Sequence, residues 1–461
     1  MAAKAAMGDT QLRKNVRHAT DVIQAKRARV VAEMPDWQAL REAGKQIRQH
    51  TMAHLDFYLQ EFERNCTAAG GVVHWARDAA EARQIIVDLV KATGSDEVIK
   101  IKSMTTEEIQ LNPALEAAGI HPYETDLAEL IIQLGQDQPS HIVVPALHKN
   151  RQQIREIFRR EMNLPELGEA PQDLADAARR FLREKFLRVK TGVSGANFLI
   201  AETGGVCVVE SEGNGRMCLT LPETLITVAG IDKVVPRYQD LEVLLQVLPR
   251  SATGERMNPY NSIWTGVNAT DGPKAFHVVL MDNARTEILG DEEGRQTLHC
   301  IRCGACQNAC PVYRQTGGHA YGSVYAGPIG AILTPQLQEM HHAQSLPYAS
   351  SLCGACYEVC PVKINIPEVL IHLRNKVVKQ NGLLNTEALA MRAMSMLFRS
   401  ERRFRAAQRL GRMAESPLVG KDGWIGWLPG LLGGWTQVRD LQEMPKQTFR
   451  DWWEKRGSDG K

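Results

Sequence analysis

Along the first 65 residues apolar positions recur at helical spacing. Within DWQALREAGKQIRQHTMAHLDFYLQEFERN (36–65), Leu40, Ile47, Leu55, Tyr58, Leu59 and Phe62 fall toward one face with charges between them, which predicts an N-terminal helical extension over 1–69. From Gly70 the period shortens. GVVHWA (71–76), EVIKIKS (97–103), HIVVPA (141–146), FLIAETG (198–204), GVCVVES (205–211), LITVAGIDKVV (225–235) and AFHVVLMD (275–282) are β-branched runs of strand length. Helical patterns such as DAAEARQIIVDLVKAT (78–93) separate several of them. Strand alternating with helix predicts an α/β domain over 70–295. A cysteine-rich region follows over 296–366, with the Gly-rich loop GGHAYGSVYAGPIGAI inside it. PEVLIHLRNKVVKQNG then predicts a helix capped at Gly382 and opens a C-terminal segment, 367–461.

Composition adds little until it is divided along the chain. With 461 residues, 44% hydrophobic and 23% charged, the chain reads as an ordinary globular protein of several domains. Its N-terminus carries charges in every turn and lacks the apolar core of a secretory signal. No window holds 18 uncharged apolar residues, so no spanning helix is expected and the expected compartment is the cytoplasm. Residues 361–461 hold 18 Lys+Arg against 10 Asp+Glu, leaving 37 against 43 elsewhere. This basic tail includes Arg399, Arg402, Arg403, Arg405, Arg409 and Arg412 at helical spacing; it suits a solvated face, a subunit contact or peripheral contact with the inner face of a membrane. Five of the eight Trp lie in its last 50 residues (424, 427, 435, 452 and 453), expected to pack over neighbouring helices. No interleaving of basic and aromatic residues suggests nucleic acid.

The chemistry is concentrated in HCIRCGACQNACPVY (299–313) and SLCGACYEVCPVK (351–363), which hold seven of the ten cysteines within 61 residues. Cys300, Cys303, Cys306 and Cys310, followed by Pro311, have the bacterial ferredoxin spacing for a [4Fe-4S] cluster, in which the fourth cysteine ligates the other cluster of a pair. The second copy supplies Cys353, Cys356 and Cys360 ahead of Pro361. Reciprocal ligation assigns Cys300, Cys303, Cys306 and Cys360 to cluster one, and Cys310, Cys353 and Cys356 to cluster two. Ser350 stands where the missing cysteine would be. Cluster two is then a [3Fe-4S] cluster, or a [4Fe-4S] cluster whose fourth ligand is Ser350, one of His319, His341 and His342, a solvent molecule or a partner's group. The competing reading of Cys-x-x-Cys pairs is zinc, which ferredoxin spacing with a proline after each last cysteine disfavours. Cys66, Cys207 and Cys218 stand apart and read as buried structural thiols. His277 reads as a hydrogen-bonded strand residue, and His299 as either a surface group or a donor to a cluster sulfur.

The α/β region lacks the glycine patterns of nicotinamide and phosphate-loop domains. It holds instead KSMTTEEIQLNPALEAAGI (102–120), ETDLAELIIQLGQDQPSHIVVPALH (124–148), GVSGANFLIAETGGVCVVESEGNGRMCLTLPETLITVAGIDKVVP (192–236) and NPYNSIWTG (258–266). In these the chain resembles a lactate-utilisation (LUD) domain. With the dicluster region and Trp-rich tail, the whole order resembles the lactate utilisation protein B family, three-cysteine second cluster included. The resemblance implies a NagB/RpiA/CoA-transferase-like fold for 70–295, with a ferredoxin-like dicluster insert and helical ends. It implies electron transfer during oxidation of L-lactate to pyruvate, with lactate utilisation proteins A and C as partners; paired clusters would pass the two electrons singly toward an acceptor such as quinone. The loop residues Ser194, Gly195, Asn197, Glu202, Thr203, Gly204 and Gly205 are similar to a loop shared by that family, and Glu-Thr-Gly-Gly at a strand end can turn backbone N–H groups toward a carboxylate. Two other readings stay open: a chain that itself oxidises a 2-hydroxy acid at the open iron of cluster two, and a redox-sensing scaffold.

Overall fold

The computed structural model describes residues 2–382, 385–437 and 439–458. One compact unit reaches to Val377 and a second starts at Val378. The first holds two sheets, with strands β1 (Val72–Ala76), β2 (Glu97–Lys100), β3 (His121–Glu124), β4 (Thr191–Ser194), β5 (Phe198–Ile200), β6 (Gly205–Glu210), β7 (Thr224–Gly230), β8 (Val234–Val235), β9 (Tyr260–Trp264) and β10 (Ala275–Met281). Six strands form a parallel sheet in the order β1-β10-β7-β4-β2-β3, and four form a smaller mixed sheet, β8-β5-β6-β9.

The connections explain why the large sheet is parallel. Helices such as Ala79–Ala92 and Leu127–Leu134 carry the chain back between strands, so both faces are covered and the inner strands β7 and β10 are largely apolar. Ala79–Ala92 starts on an Asp78 side chain that accepts the Glu81 N–H at 2.9 Å, and it buries Ala82, Ile86, Val87 and Val90. The connection from β2 runs outward to β3, whereas the chain leaving β4 passes through the small sheet to β7 on the other side. A crevice therefore opens beyond the carboxyl ends of β2 and β4.

One expected strand is absent. HIVVPA (141–146) is irregular, because its backbone groups find partners outside any ladder: the N–H groups of Val143 and Val144 donate to His141 Nδ1 at 3.0 Å each, and that of Ile142 to Gln307 Oε1 at 3.2 Å. Lys102 Nζ donates to the Ile142 and Val143 carbonyls at 2.5 and 3.1 Å. The strands β3, β4 and β9 were in turn too short or too polar to stand out in the sequence.

The N-terminal residues form helices, among them Thr10–Ala32, Trp37–Ala53 and Leu55–Ala68. Trp37, Met52, Leu55, Leu59 and Phe62 share one apolar core with the sheets, with Cys303, Cys306, Cys356 and Cys360, and with Ile366, Val369, Leu370 and Leu373 of the helix Ile366–Gln380. Gly382 follows that helix at φ +74°. The second unit contains the helices Thr386–Phe398, Glu401–Glu415 and Phe449–Ser458. The expected covering of its tryptophans is not found: Trp424, Trp427, Trp435, Trp452 and Trp453 are all exposed, because the helices and short turns of this unit are too small to bury them. Among the described residues no helix is long and apolar enough to cross a membrane.

Candidate metal centre

The two cysteine copies adopt one backbone. Residues before the middle cysteine, Arg302 and Leu352, are left-handed at φ +60° and +54°, and the glycines after it, Gly304 and Gly354, lie at +73° and +83°. Each glycine leads into a single helical turn, Ala305–Ala309 or Ala355–Val359, which ends at an extended Cys310 or Cys360 before proline. The correspondence reaches the side chains. The Arg302 N–H donates to Cys300 Sγ at 3.3 Å, and the Leu352 N–H donates to Ser350 Oγ at 3.1 Å. Ser350 thus holds its hydroxyl where the first copy holds a thiol.

The seven thiols lie in two adjoining neighbourhoods, with Cys356 of one acting on Cys306 of the other. Burial raises the Cys303 thiol, and the negative charges of Cys360 and Cys300 raise it further. Cys306 is raised by burial and then by Cys303, Cys300, Cys356 and Cys360. Cys356 is pushed up to about 12 by burial and by Cys310, with Cys353 adding to it. The first neighbourhood is the more enclosed: one cavity is lined by Cys300, Cys303, Cys306 and Cys360 and walled by Ile329, Val362, Ile364 and Ile366, with Cys300 half-buried and the other three buried. In the second, Cys310 and Cys356 are buried and Cys353 is exposed. There Cys353 has a lowered pKa, chiefly because the Ala355 N–H donates to its sulfur.

Thiols that resist ionising when bare become strong ligands once a metal replaces the proton. A donor set of thiols alone, carried on two copies of one loop, fits a thiolate-bound metal centre. His319 belongs to a different cluster, with Asp137 and His148, and His341 and His342 group with Glu339.

Buried cations surround the first neighbourhood, and sequence reading did not single them out. Arg41 donates to the Cys360 and Tyr357 carbonyls at 2.9 Å each, and Arg27 to the Val359 carbonyl at 3.2 Å. Arg48 is lowered to about 10 by burial and donates to the Leu298 and Val234 carbonyls at 2.9 and 2.8 Å. Arg302 reaches Asp232 at 3.4 Å, and Asp232 also pairs with Arg285 at 2.5 Å, which ties the cysteine loop to the end of β7. His299 is buried, and burial holds its pKa down to about 3, so it is a neutral imidazole rather than a surface group. The charged pair Asp232-Lys233 inside an apolar run was the available signal. Lys233 is 7% exposed, and burial together with Arg302 lowers it to about 7.

The loop expected to meet an anion divides at β5. Gly195 and Asn197 line a cavity at the crevice between β2 and β4. Ser194 is buried beneath it, its Oγ 2.7 Å from Thr227 Oγ1. Glu202, Thr203, Gly204 and Gly205 form a turn at the other end of β5, where the N–H groups of Thr203 and Gly204 donate to Ile200 and Ala201 and that of Gly205 to Thr203 Oγ1. Glu202 accepts the Tyr238 N–H at 3.0 Å at the start of the helix Tyr238–Ala252. These N–H groups are spent within the turn, so what the loop offers an anion lies in its first half.

Outside the centre, Cys66, Cys207 and Cys218 are buried, and burial pushes them up to about 11, 12 and 12. His277 Nδ1 lies 3.1 Å from His74 Nε2.

Three family descriptions match the chain: LUD domain over 59–281, 4Fe-4S dicluster domain over 296–364, and lactate utilisation protein B, C-terminal, over 372–458. The chain is 43% identical over 450 residues to lactate utilization protein B 1 of Bacillus mycoides (strain KBAB4), covering 97% of this chain and 94% of that one. It is 44% identical over 446 residues to lactate utilization protein B of Bacillus subtilis (strain 168), covering 96% and 92%. A crystal structure of a DUF162 family protein from Deinococcus radiodurans matches 49% of this chain and 98% of its own at 13% identity and a TM-score of 0.28.

Proposed function

The chain belongs to the lactate utilisation protein B family, and from that premise we propose that it is an iron–sulfur electron-transfer subunit in the oxidation of L-lactate to pyruvate. The reading is carried by the duplicated cysteine backbone, on which Cys300, Cys303, Cys306 and Cys360 line one cavity. Cys300, Cys303, Cys306 and Cys360 would hold a [4Fe-4S] cluster, and Cys310, Cys353 and Cys356 a second cluster, with Ser350, which stands at the missing cysteine's place, as its fourth ligand. Clusters bound there supply one-electron oxidation and reduction.

The protein's own part is enclosure and charge. Apolar walls keep water from the first set of thiols, and Arg27, Arg41, Arg48 and Arg302 offset the negative charge that thiolates and an added electron bring. On this reading the N-terminal helices (1–69) and the α/β domain (70–295) form the housing of the dicluster region (296–366). The segment 367–461 meets partners. Its exposed apolar side chains, among them Met391, Phe398, Leu410, Met413 and Trp427, suit docking of lactate utilisation proteins A and C, and its arginines suit contact with a membrane surface where a quinone acceptor would be met.

The assembled complex, prepared without oxygen, tests this by EPR. L-Lactate should elicit the reduced-cluster signals of this chain. Silence with lactate in a preparation that dithionite does reduce would sink the reading.

A further inference from the structure

The crevice beyond β2 and β4 is a cavity of about 240 Å³. It lies where successive connections leave the sheet in opposite directions, the position at which open α/β sheets bind their ligands. Its volume falls below the range for drug-sized molecules, about 300–1,000 Å³, and so suits a small metabolite. Ile101, Lys102 and Ser103 continue β2 along one side, Gly195 and Asn197 continue β4 along the other, and Cys303 closes an end. A Cβ on Gly195 would stand 2.1 Å from Ser103 Oγ, so only glycine lets these two chain ends approach.

One group on the wall is unspent. Lys233 lines the cavity and is 7% exposed, yet among the described residues its ammonium has neither a hydrogen bond nor an ion pair. Its neighbour Asp232 is committed to Arg285 and Arg302. The four carboxylates on the wall are committed too: Asp126 accepts the N–H groups of Ala128 and Glu129, Glu210 accepts those of Glu212, Gly213 and Arg216, Glu212 accepts that of Leu127, and Glu255 pairs with Lys26. The negative charges of Asp232 and Cys300 act on it without a direct contact, and a buried cation held in contact with no anion is costly.

We propose that this cavity binds a small carboxylate of the 2-hydroxy- or 2-oxo-acid class, with the Lys233 ammonium as its counter-ion and the Cys303 loop as one wall. The size, the cation and the position carry the binding of a small anion. The choice of acid class rests on the lactate reading above. The carboxylate would be held against the first set of thiols, away from Ser350.

Equilibrium dialysis of the full chain with labelled L-lactate, pyruvate or inorganic phosphate, with and without Lys233→Met, tests the proposal. L-Lactate or pyruvate should bind in preference to phosphate, and Lys233→Met should weaken that binding on the order of tenfold to a hundredfold, the effect of a lost charge-assisted hydrogen bond. Lys233→Arg should recover part of it. The melting temperature of Lys233→Met should be unchanged or higher, because methionine is better suited to burial than an unpaired ammonium. A purely structural lysine would instead lower the melting temperature and leave dissociation constants alone, and that result would overturn the proposal. Preference for phosphate would overturn the acid class. In the dithionite-reduced chain, the bound acid should shift the EPR signal lost in Cys360→Ala and leave the signal lost in Cys353→Ala in place. If both clusters form and exchange electrons with the partner subunits while no acid binds, the site falls and the electron-transfer reading stands; if acids bind but lactate never reduces the complex, the reverse holds.

Discussion

Between Cys300 and Cys310, and again between Ser350 and Cys360, the chain repeats the same torsions and the same N–H contact to the first side chain. The surroundings do not repeat. Around the first set of thiols lie Ile329, Val362, Ile364 and Ile366, the half-buried Arg27 and the buried Arg41 of two N-terminal helices. Around the second, Leu12, Val16, Tyr313 and Tyr321 pack over Cys310, while Cys353 is exposed. Backbone geometry here is a local property, encoded twice by a dozen residues. The apolar wall of the first site is also near in sequence, but its arginines come from helices more than 300 residues away, and it is the surroundings that separate a more shielded centre from a more accessible one.

The largest expected effect comes from removing a ligand on each side. Cys360→Ala opens a cage whose metal is part of the folding energy and leaves Arg27 and Arg41 facing less negative charge, so it should lose about half the iron and several kcal/mol of stability. Cys353→Ala sits at the surface and should lose iron from the second set alone, with a melting temperature close to that of the parent. Iron and sulfide counts with calorimetry decide between them. Equal destabilisation by the two variants would abolish the distinction between a shielded and an accessible site.

A smaller effect is expected from the arginine shell. Arg41→Met deprives the Cys360 and Tyr357 carbonyls of their donors, at a cost of about 2–3 kcal/mol for buried groups bonded to a charge. A cation stabilises the reduced, more negative state, so its loss should lower the reduction potential of the first cluster, on the order of 50 mV for a partly screened charge at this range. The second cluster should keep its potential. An EPR-monitored redox titration that found both shifted together, or neither, would remove the cations from the comparison.

Legibility in the sequence followed the same division. Cysteine spacing, the proline stops and the missing thiol at Ser350 were readable because each is set within a few residues. The helix Ala79–Ala92 and strands such as β7 and β10 were readable because their periodicity is strong. His141–Ala146 read as a strand because its composition is β-branched, but side chains from Lys102 and Gln307 took its backbone groups. Nothing local announces such partners. Arg27 and Arg41 carry no signal of their own in the sequence, and only the packing of their two helices on the Cys360 turn brings these cations to it. Lys233 was visible as a charge within an apolar run, yet its lack of a partner is a property of the folded cavity.

The smallest expected effect on stability, and the sharpest on the comparison, is that of Ser350→Cys. The hydroxyl is half-buried and already accepts the Leu352 N–H in the manner of the Cys300 sulfur, so the substitution asks for no backbone change. The left-handed Leu352 and the glycine turn after Cys353 are in place with or without a fourth thiol. Stability should therefore move by less than about 1 kcal/mol, as for substitutions that create neither a cavity nor an unpaired buried group. The second cluster should become a [4Fe-4S] cluster with four thiolates, and its Mössbauer spectrum should converge on that of the first. If the shared torsions govern ligation, this single atom exchange completes the repeat. If the spectrum stays that of a three-thiolate cluster, with the new thiol still open to alkylation in the iron-loaded protein, then exposure rather than the missing sulfur is what sets the second site apart.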